Sequence, residues 1–384
     1  MQIYIHIPFC KKKCLYCDFN SYANCSGELI FGYLTALNNE IKLASKHFGK
    51  GGSNDKITSV FIGGGTPSLI DSKHIEKLLE NVKNHYNLAE DAEITIEANP
   101  ESLTEEKLVT YKRLGVNRLS VGVQSLSDEN LKTIGRIHDK KTALECLNTA
   151  KKYFENVSCD LMIGLPFDSV ELVKSEVETL AKIVCHLSCY TLILEYGTPL
   201  EKLVSAGKVK LPSDDETIDL LSAAVETLKK CGFERYEVSN FAKGEHISEH
   251  NFGYWMREEY LGFGAGAHSY LKARNGAVSL ESETRFSSLS SVEEYVEAVN
   301  SADDYFDIVR DDAEELDNDA IFDEKIMLGL RTSFGVEKAL IEPSKLQKYA
   351  KYFVEQGGRV SLNDDGFAVM NTILVDLMRL KNAD

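Results

Sequence analysis

Six short apolar runs, each followed by a longer stretch with helical spacing, recur between residues 2 and 231, and no other feature constrains the fold as much. The runs cover 2–7, 57–62, 93–97, 118–123, 157–163 and 189–195. Over 28–48, Leu29, Tyr33, Leu37, Ile41 and Ala44 fall near one helical face. Strand-then-helix units in series predict parallel strands with helices packed outside them. Polar residues and glycines recur at one end of the strands. The cysteines around Cys14 follow the first, and Gly63-Gly64-Gly65-Thr66-Pro67 follows the second. The third and fourth end near Glu97 and Gln124, the fifth carries Asp160, and the sixth ends at Glu195. In (β/α) barrels the C-terminal ends of the strands collect the ligand-binding groups. The predicted class is therefore α/β, with residues 1–232 forming a partial (β/α)6 barrel.

Beyond residue 232 the alternation stops. Residues 233–300 form an extension rich in glycine and aromatics, 301–322 an acidic linker, and 323–384 a small α+β unit of winged-helix-like pattern. That unit is predicted to hold helices near 323–331 and 343–356. A hairpin of 359–362 with 367–369 around the turn 363–366 follows, and then a last helix from Thr372.

The net charge of −17 argues against nucleic acid as a partner, since phosphate contact needs an excess of Lys and Arg. No run of about 18 apolar residues predicts a membrane span, and no signal peptide opens the chain. Nine cysteines, an odd number, without an export signal predict a reducing cytoplasm rather than a disulfide framework.

Cys10, Cys14 and Cys17 have C-x3-C-x2-C spacing, close enough for three thiolates to meet one soft metal centre. A tetrahedral zinc would need a fourth ligand, for which His6 and Cys25 are candidates. A [4Fe–4S] cluster held by three cysteines keeps one iron open for another ligand. Glu97, Gln124 and Asp160 taken singly fit satisfied interior polar groups; their common position on the strands points to a ligand. Arg136 is either a surface cation or a bidentate partner for a ligand carboxylate.

The cysteine spacing, with Tyr16 just before the last Cys, resembles the signature of radical S-adenosylmethionine (SAM) enzymes. Three further segments narrow the resemblance: Tyr4-Ile5-His6-Ile7-Pro8-Phe9-Cys10, Gly63-Gly64-Gly65-Thr66-Pro67-Ser68 and Asp160-Leu161-Met162-Ile163-Gly164-Leu165-Pro166. They are similar to the branch containing oxygen-independent coproporphyrinogen III dehydrogenase (HemN) and the heme chaperone HemW. The resemblance implies a [4Fe–4S] cluster on Cys10, Cys14 and Cys17, whose open iron chelates SAM. It implies SAM contacts from Tyr4, Gly64 and Glu97, and a second SAM position lined by Tyr16, Gly65, Thr66, Gln124, Arg136 and Asp160. HemN carries a fourth cysteine two residues after the third; here that position is Phe19, as in HemW-type proteins. His250-Asn251-Phe252-Gly253-Tyr254-Trp255 resembles the HNxxYW motif those proteins use in binding heme, which implicates His250, Asn251, Tyr254 and Trp255. His268 is a second, weaker candidate ligand. The resemblance thus implies a cytoplasmic chaperone that passes heme to recipient proteins such as respiratory enzymes, with an electron donor for its cluster. The rival expectation is radical decarboxylation of coproporphyrinogen III, and nucleic-acid modification is a third.

Overall fold

The computed structural model describes residues 1–50, 55–273, 282–308 and 310–379. Six parallel strands stand side by side in sequence order: β1 (Gln2–Ile7), β2 (Lys56–Gly64), β3 (Asn87–Ala98), β4 (Arg118–Gln124), β5 (Asn156–Ile163) and β6 (His186–Thr191). Each pair is joined through helix. The longest crossover helix, Gly27–Phe48, is capped by Ser26 and buries Tyr33, Leu37, Ile41 and Ala44. The period-2 pattern of the strands separates two faces. Ile3, Ile5 and Ile7 of β1, Leu119, Val121 and Val123 of β4, and Val157, Cys159 and Leu161 of β5 join the main core against the helices. The alternate residues form a polar inner face. There Arg118 is fully buried beside Glu93, and His186 is bonded to Ser158 Oγ and Tyr236 OH, both at 2.7 Å.

Among the described residues the sheet continues past both edges to twelve strands and does not close. Beyond β6 lie β8 (Asn240–Ala242) and then β7 (Glu234–Arg235), both antiparallel. Beyond β1, β9 (Tyr260–Phe263) is parallel, followed by antiparallel β10 (His268–Leu271), β11 (Glu283–Ser288) and β12 (Arg310–Leu316). Part of the acidic stretch expected as a linker is therefore strand β12. Helix Asn318–Gly329 begins directly after it, with Asp317 accepting a bond from Ala320 N–H.

The C-terminal unit has its own core around Ile326, Leu330, Val360 and Ile373. Its three-stranded sheet has the order β13 (Val336–Glu337), β15 (Arg359–Leu362), β14 (Phe353–Gln356). The hairpin differs from expectation: 359–362 pairs with the strand before it, not with 367–369. Gly357 and Gly358 turn the chain at φ +57° and +78°, the two consecutive positive values that a tight type I′ hairpin turn requires. Residues expected as turn and strand instead form helix Asp364–Ala368, because the Asn363 side chain caps it through Gly366 N–H at 2.8 Å. No helix among the described residues is long and apolar enough to cross a membrane.

Candidate functional site

A cavity of about 350 Å³ opens at the C-terminal ends of the parallel strands. Cys10, Cys14 and Cys17 line it from the loop that follows β1. The loop is pinned by three backbone bonds: Leu15 N–H to Ile134 O at 2.9 Å, Leu200 N–H to Leu15 O at 2.8 Å and Tyr22 N–H to Pro8 O at 2.7 Å. Among the described residues no three His, Cys, Asp or Glu side chains are grouped as a single ion would need them. Three thiols lining one cavity can each meet a different iron of a cluster. Neither His6 nor Cys25 completes a zinc site. The His6 ring is engaged with Tyr4 OH and Asn20 O, both at 2.9 Å, and Cys25 is not among the lining residues. Two donors already face the sulfurs: Thr66 Oγ1 lies 3.6 Å from Cys10 Sγ, and Arg136 Nη1 lies 3.5 Å from Cys14 Sγ. Burial pushes the Cys10 thiol above its ordinary range, and the Thr66 hydroxyl pulls it back.

The remaining groups come from the strand ends. Gly64 N–H donates to Glu97 Oε2 at 3.0 Å. A Cβ on Gly64, at φ +115°, would meet the His6 ring at 2.7 Å, so the strand passes this point only without a side chain. Arg136 Nη2 donates to Asn99 Oδ1 at 2.8 Å and to Gly122 O at 2.5 Å. Gln124 holds φ +70° at the end of β4 and accepts from Tyr190 OH at 2.8 Å. A non-glycine residue there is strained, as ligand-binding segments often are.

Two buried carboxyls set the electrostatics. Burial, reinforced by the nearby Asp160, pushes Glu97 up to about 7, against the Gly64 N–H and Arg118. Burial likewise pushes Asp160 up to about 6, opposed by Ser188 and by Arg118 and Arg136. Such a cavity favours a ligand that brings a cationic group or hydroxyl donors to the carboxyls and a carboxylate to Arg136.

Eleven of the expected residues thus come together: the three cysteines with Tyr16, Gly64, Gly65, Thr66, Glu97, Gln124, Arg136 and Asp160. Tyr4 does not line this cavity; its hydroxyl bonds to His6 and its ring faces a neighbouring one. Asn99, which donates to Thr66 Oγ1 at 3.0 Å and accepts from Arg136, and Tyr190 were not singled out from the sequence. The inward alternation of His186, Ser188 and Tyr190 on β6 is the signal that identifies Tyr190.

The neighbouring cavity, about 850 Å³, shares Phe19, Gly64 and Glu97 with the first. Its wall carries Tyr4, Phe61, Tyr254, Tyr260 and Tyr270, and helix Asn318–Gly329 supplies Met327 and Leu328. Arg257 donates to Glu324 at 2.9 Å and to Glu283 at 2.7 Å, and Arg285 pairs with Glu324. The His250 segment forms helix Glu249–Trp255, capped by Ser248 and anchored by Glu93, which accepts from the backbone N–H groups of Glu249 and His250 at 3.0 and 3.1 Å. The His250 ring is fully buried, with Nδ1 2.8 Å from Ser59 Oγ and Nε2 2.9 Å from Tyr254 OH, and it stacks on Phe61. Burial, with Arg118 nearby, pulls its pKa down to about 3 and keeps the ring neutral. His250, Asn251 and Tyr254 belong to this cavity, whereas Trp255 lines neither.

Comparison with known proteins gives a consistent result. The Radical SAM superfamily pattern matches residues 4–180. The heme chaperone HemW of Bacillus subtilis (strain 168) is 36% identical over 338 residues, covering 87% of this chain and 84% of the relative. The heme chaperone HemW of Lactococcus lactis is 32% identical over 385 residues, covering 96% of this chain and 95% of the relative. Among solved structures, coproporphyrinogen III oxidase (HemN) from Escherichia coli, a radical SAM enzyme, superposes with a TM-score of 0.79 over 98% of this chain and 90% of that one. At 20% identity that likeness speaks for the fold.

Proposed function

The chain belongs to the HemW branch of the radical SAM superfamily, and from that premise we propose that it is a heme chaperone: it binds heme and delivers it to heme-dependent enzymes. In this reading the first cavity holds a [4Fe–4S] cluster and SAM, and the second holds heme. Cys10, Cys14 and Cys17 hold the cluster, which supplies an open iron for SAM. Glu97 and Asp160 accept from the ligand's amine and hydroxyl groups, and Arg136 and Gln124 fix its carboxylate end. Gly64 and Gly65 let the ligand approach the backbone.

The observation that carries the heme half is the second cavity itself. It is large, lined by tyrosines and two phenylalanines, provided with two arginines, and placed against the cluster site. Aromatic faces suit a flat macrocycle, and cavities of roughly 300–1,000 Å³ suit ligands of cofactor size. Phe19 supports the chaperone over the enzyme. It stands where HemN has its fourth cysteine, it is 69% exposed, and it borders both cavities. The donor of electrons to the cluster and the recipient proteins are further parts of the proposal, as is a cytoplasmic location.

The test is titration of the anaerobically reconstituted protein with heme, followed by mixing with an apo-hemoprotein. One heme per chain, moving to the acceptor faster than from free solution, is the expected result. Absence of a saturable Soret change would overturn the reading.

A further inference from the structure

Within the heme-chaperone reading, on which this step rests, three histidines line the second cavity. Both ring nitrogens of His6 are engaged, by Tyr4 OH and Asn20 O, and the other two histidines are in opposite states. His250 lies in the motif that draws attention, yet its ring is closed to a ligand. Both nitrogens are engaged, by Ser59 Oγ and Tyr254 OH, and the residue has no exposed surface. Turning it toward an iron would strand one of those hydroxyls without a partner in a buried position. It would also break the stack on Phe61, whose ring centroid is 5.1 Å away.

His268 is the reverse case. It opens strand β10, its side chain is exposed, and it lines the same cavity. Its ring makes no hydrogen bond with any described residue. Register puts it on one face with Tyr270, and the antiparallel partner of Tyr270 is Arg285 on β11. Side chains at i and i+2 of a strand share a face, and a diagonal cross-strand neighbour lies about 7–8 Å away. One strand pair thus presents to the cavity a free imidazole, an aromatic ring and a guanidinium that is held by Glu324 and Glu314. The backbone holds the arrangement firmly: Gly262 of β9 packs so close to His268 that a Cβ there would come within 2.0 Å of the His268 carbonyl oxygen.

We propose that His268 is the axial ligand of heme in the second cavity, that Arg285 faces a propionate, and that His250 serves the wall rather than the iron. An imidazole nitrogen is a common axial ligand of heme iron, and an arginine fork is the usual match for a carboxylate. His250, neutral and doubly bonded, holds Tyr254 in place against the cavity.

The experiment is an anaerobic heme titration of the full-length reconstituted protein, followed in the Soret region by difference spectra. The variants are His268→Ala, His250→Gln and Arg285→Met. His268→Ala is expected to move the Soret band and raise the heme Kd at least tenfold, and added free imidazole is expected to restore the wild-type band. His250→Gln can still bond Ser59 and Tyr254, so its band is expected at the wild-type position. Arg285→Met is expected to raise the Kd severalfold without moving the band. If His268→Ala gives the wild-type band while His250→Gln loses it, the assignment is overturned and the chaperone reading survives. If the wild-type chain takes up no heme, the chaperone reading falls and this assignment with it.

Discussion

The two cavities share three lining residues but are built on different principles. The first is assembled from consecutive strands and their strand-to-helix connections, so most of its groups lie on or just after a predicted strand. The second is assembled across the chain, from β1 and β2, helix Glu249–Trp255, three strands of the extension and helix Asn318–Gly329. Their electrostatics differ as well. The first concentrates thiols and two buried carboxyls, with Gly64 N–H and Arg118 acting on Glu97 and with Ser188, Arg118 and Arg136 acting on Asp160. The second already pairs its arginines with Glu283 and Glu324 and is otherwise aromatic. A polar cavity at strand ends and an aromatic one beside it suit two different ligands. The comparison implies that each can be emptied without the other.

Cys14→Ser should have the largest effect. Iron content after anaerobic reconstitution is expected to fall from about four per chain to below one, measured by metal analysis. Heme affinity should stay within a factor of about two. Loss of both together would show that the cavities are one site.

Arg257→Met comes next. The side chain is nearly buried and bonded to two carboxylates, and breaking a buried pair from one side costs about 3–5 kcal/mol. Denaturant unfolding should reveal that loss, and heme affinity should fall while SAM affinity holds. An unchanged midpoint would mean that the Arg257 network does not secure the second cavity.

Arg136→Ala should do the converse. Losing a charge-assisted contact of about 1.5–3 kcal/mol predicts roughly a tenfold to hundredfold weaker SAM binding by calorimetry, with heme unaffected.

The smallest effect concerns Glu97. Its folded-state pKa, about 7, lies above the ordinary value of 4.5. Between those values the native state holds a proton that the unfolded chain has released, so stability falls as pH rises through this window. Glu97→Gln is therefore expected to stabilise the ligand-free protein at pH 8 by roughly 1–3 kcal/mol, and to leave it unchanged below pH 4.5. A variant less stable at pH 8 would contradict the electrostatic description of the first cavity.

How far the sequence revealed each cavity follows from the same difference. The βα order and the period-2 alternation put Glu97, Gln124 and Asp160 at one mouth, because those signals are local. The sixth strand was displaced by a few residues. The stretch Leu192-Ile193-Leu194 reads as strand, but β6 runs from His186 to Thr191, since His186 and Ser188 face a polar interior rather than water. The last hairpin was misplaced for a related reason: Asn363-Asp364-Asp365-Gly366 has turn composition, yet its asparagine caps a helix. The His250 motif was visible, but the burial of its ring was not, because Ser59 and Phe61 reach it from a strand nearly two hundred residues earlier. The placement of the exposed His268 near Arg285, the cross-strand partner of Tyr270, depends on antiparallel register, which local spacing does not encode.

The central claim is that the chain handles heme rather than transforming a porphyrinogen. The most direct test is one anaerobic reaction containing the reconstituted protein, a low-potential reductant, SAM, coproporphyrinogen III and an apo-hemoprotein, with and without heme. The account predicts heme appearing in the acceptor and no protoporphyrinogen above the protein-free background. Protoporphyrinogen accumulating over many turnovers per chain would contradict it.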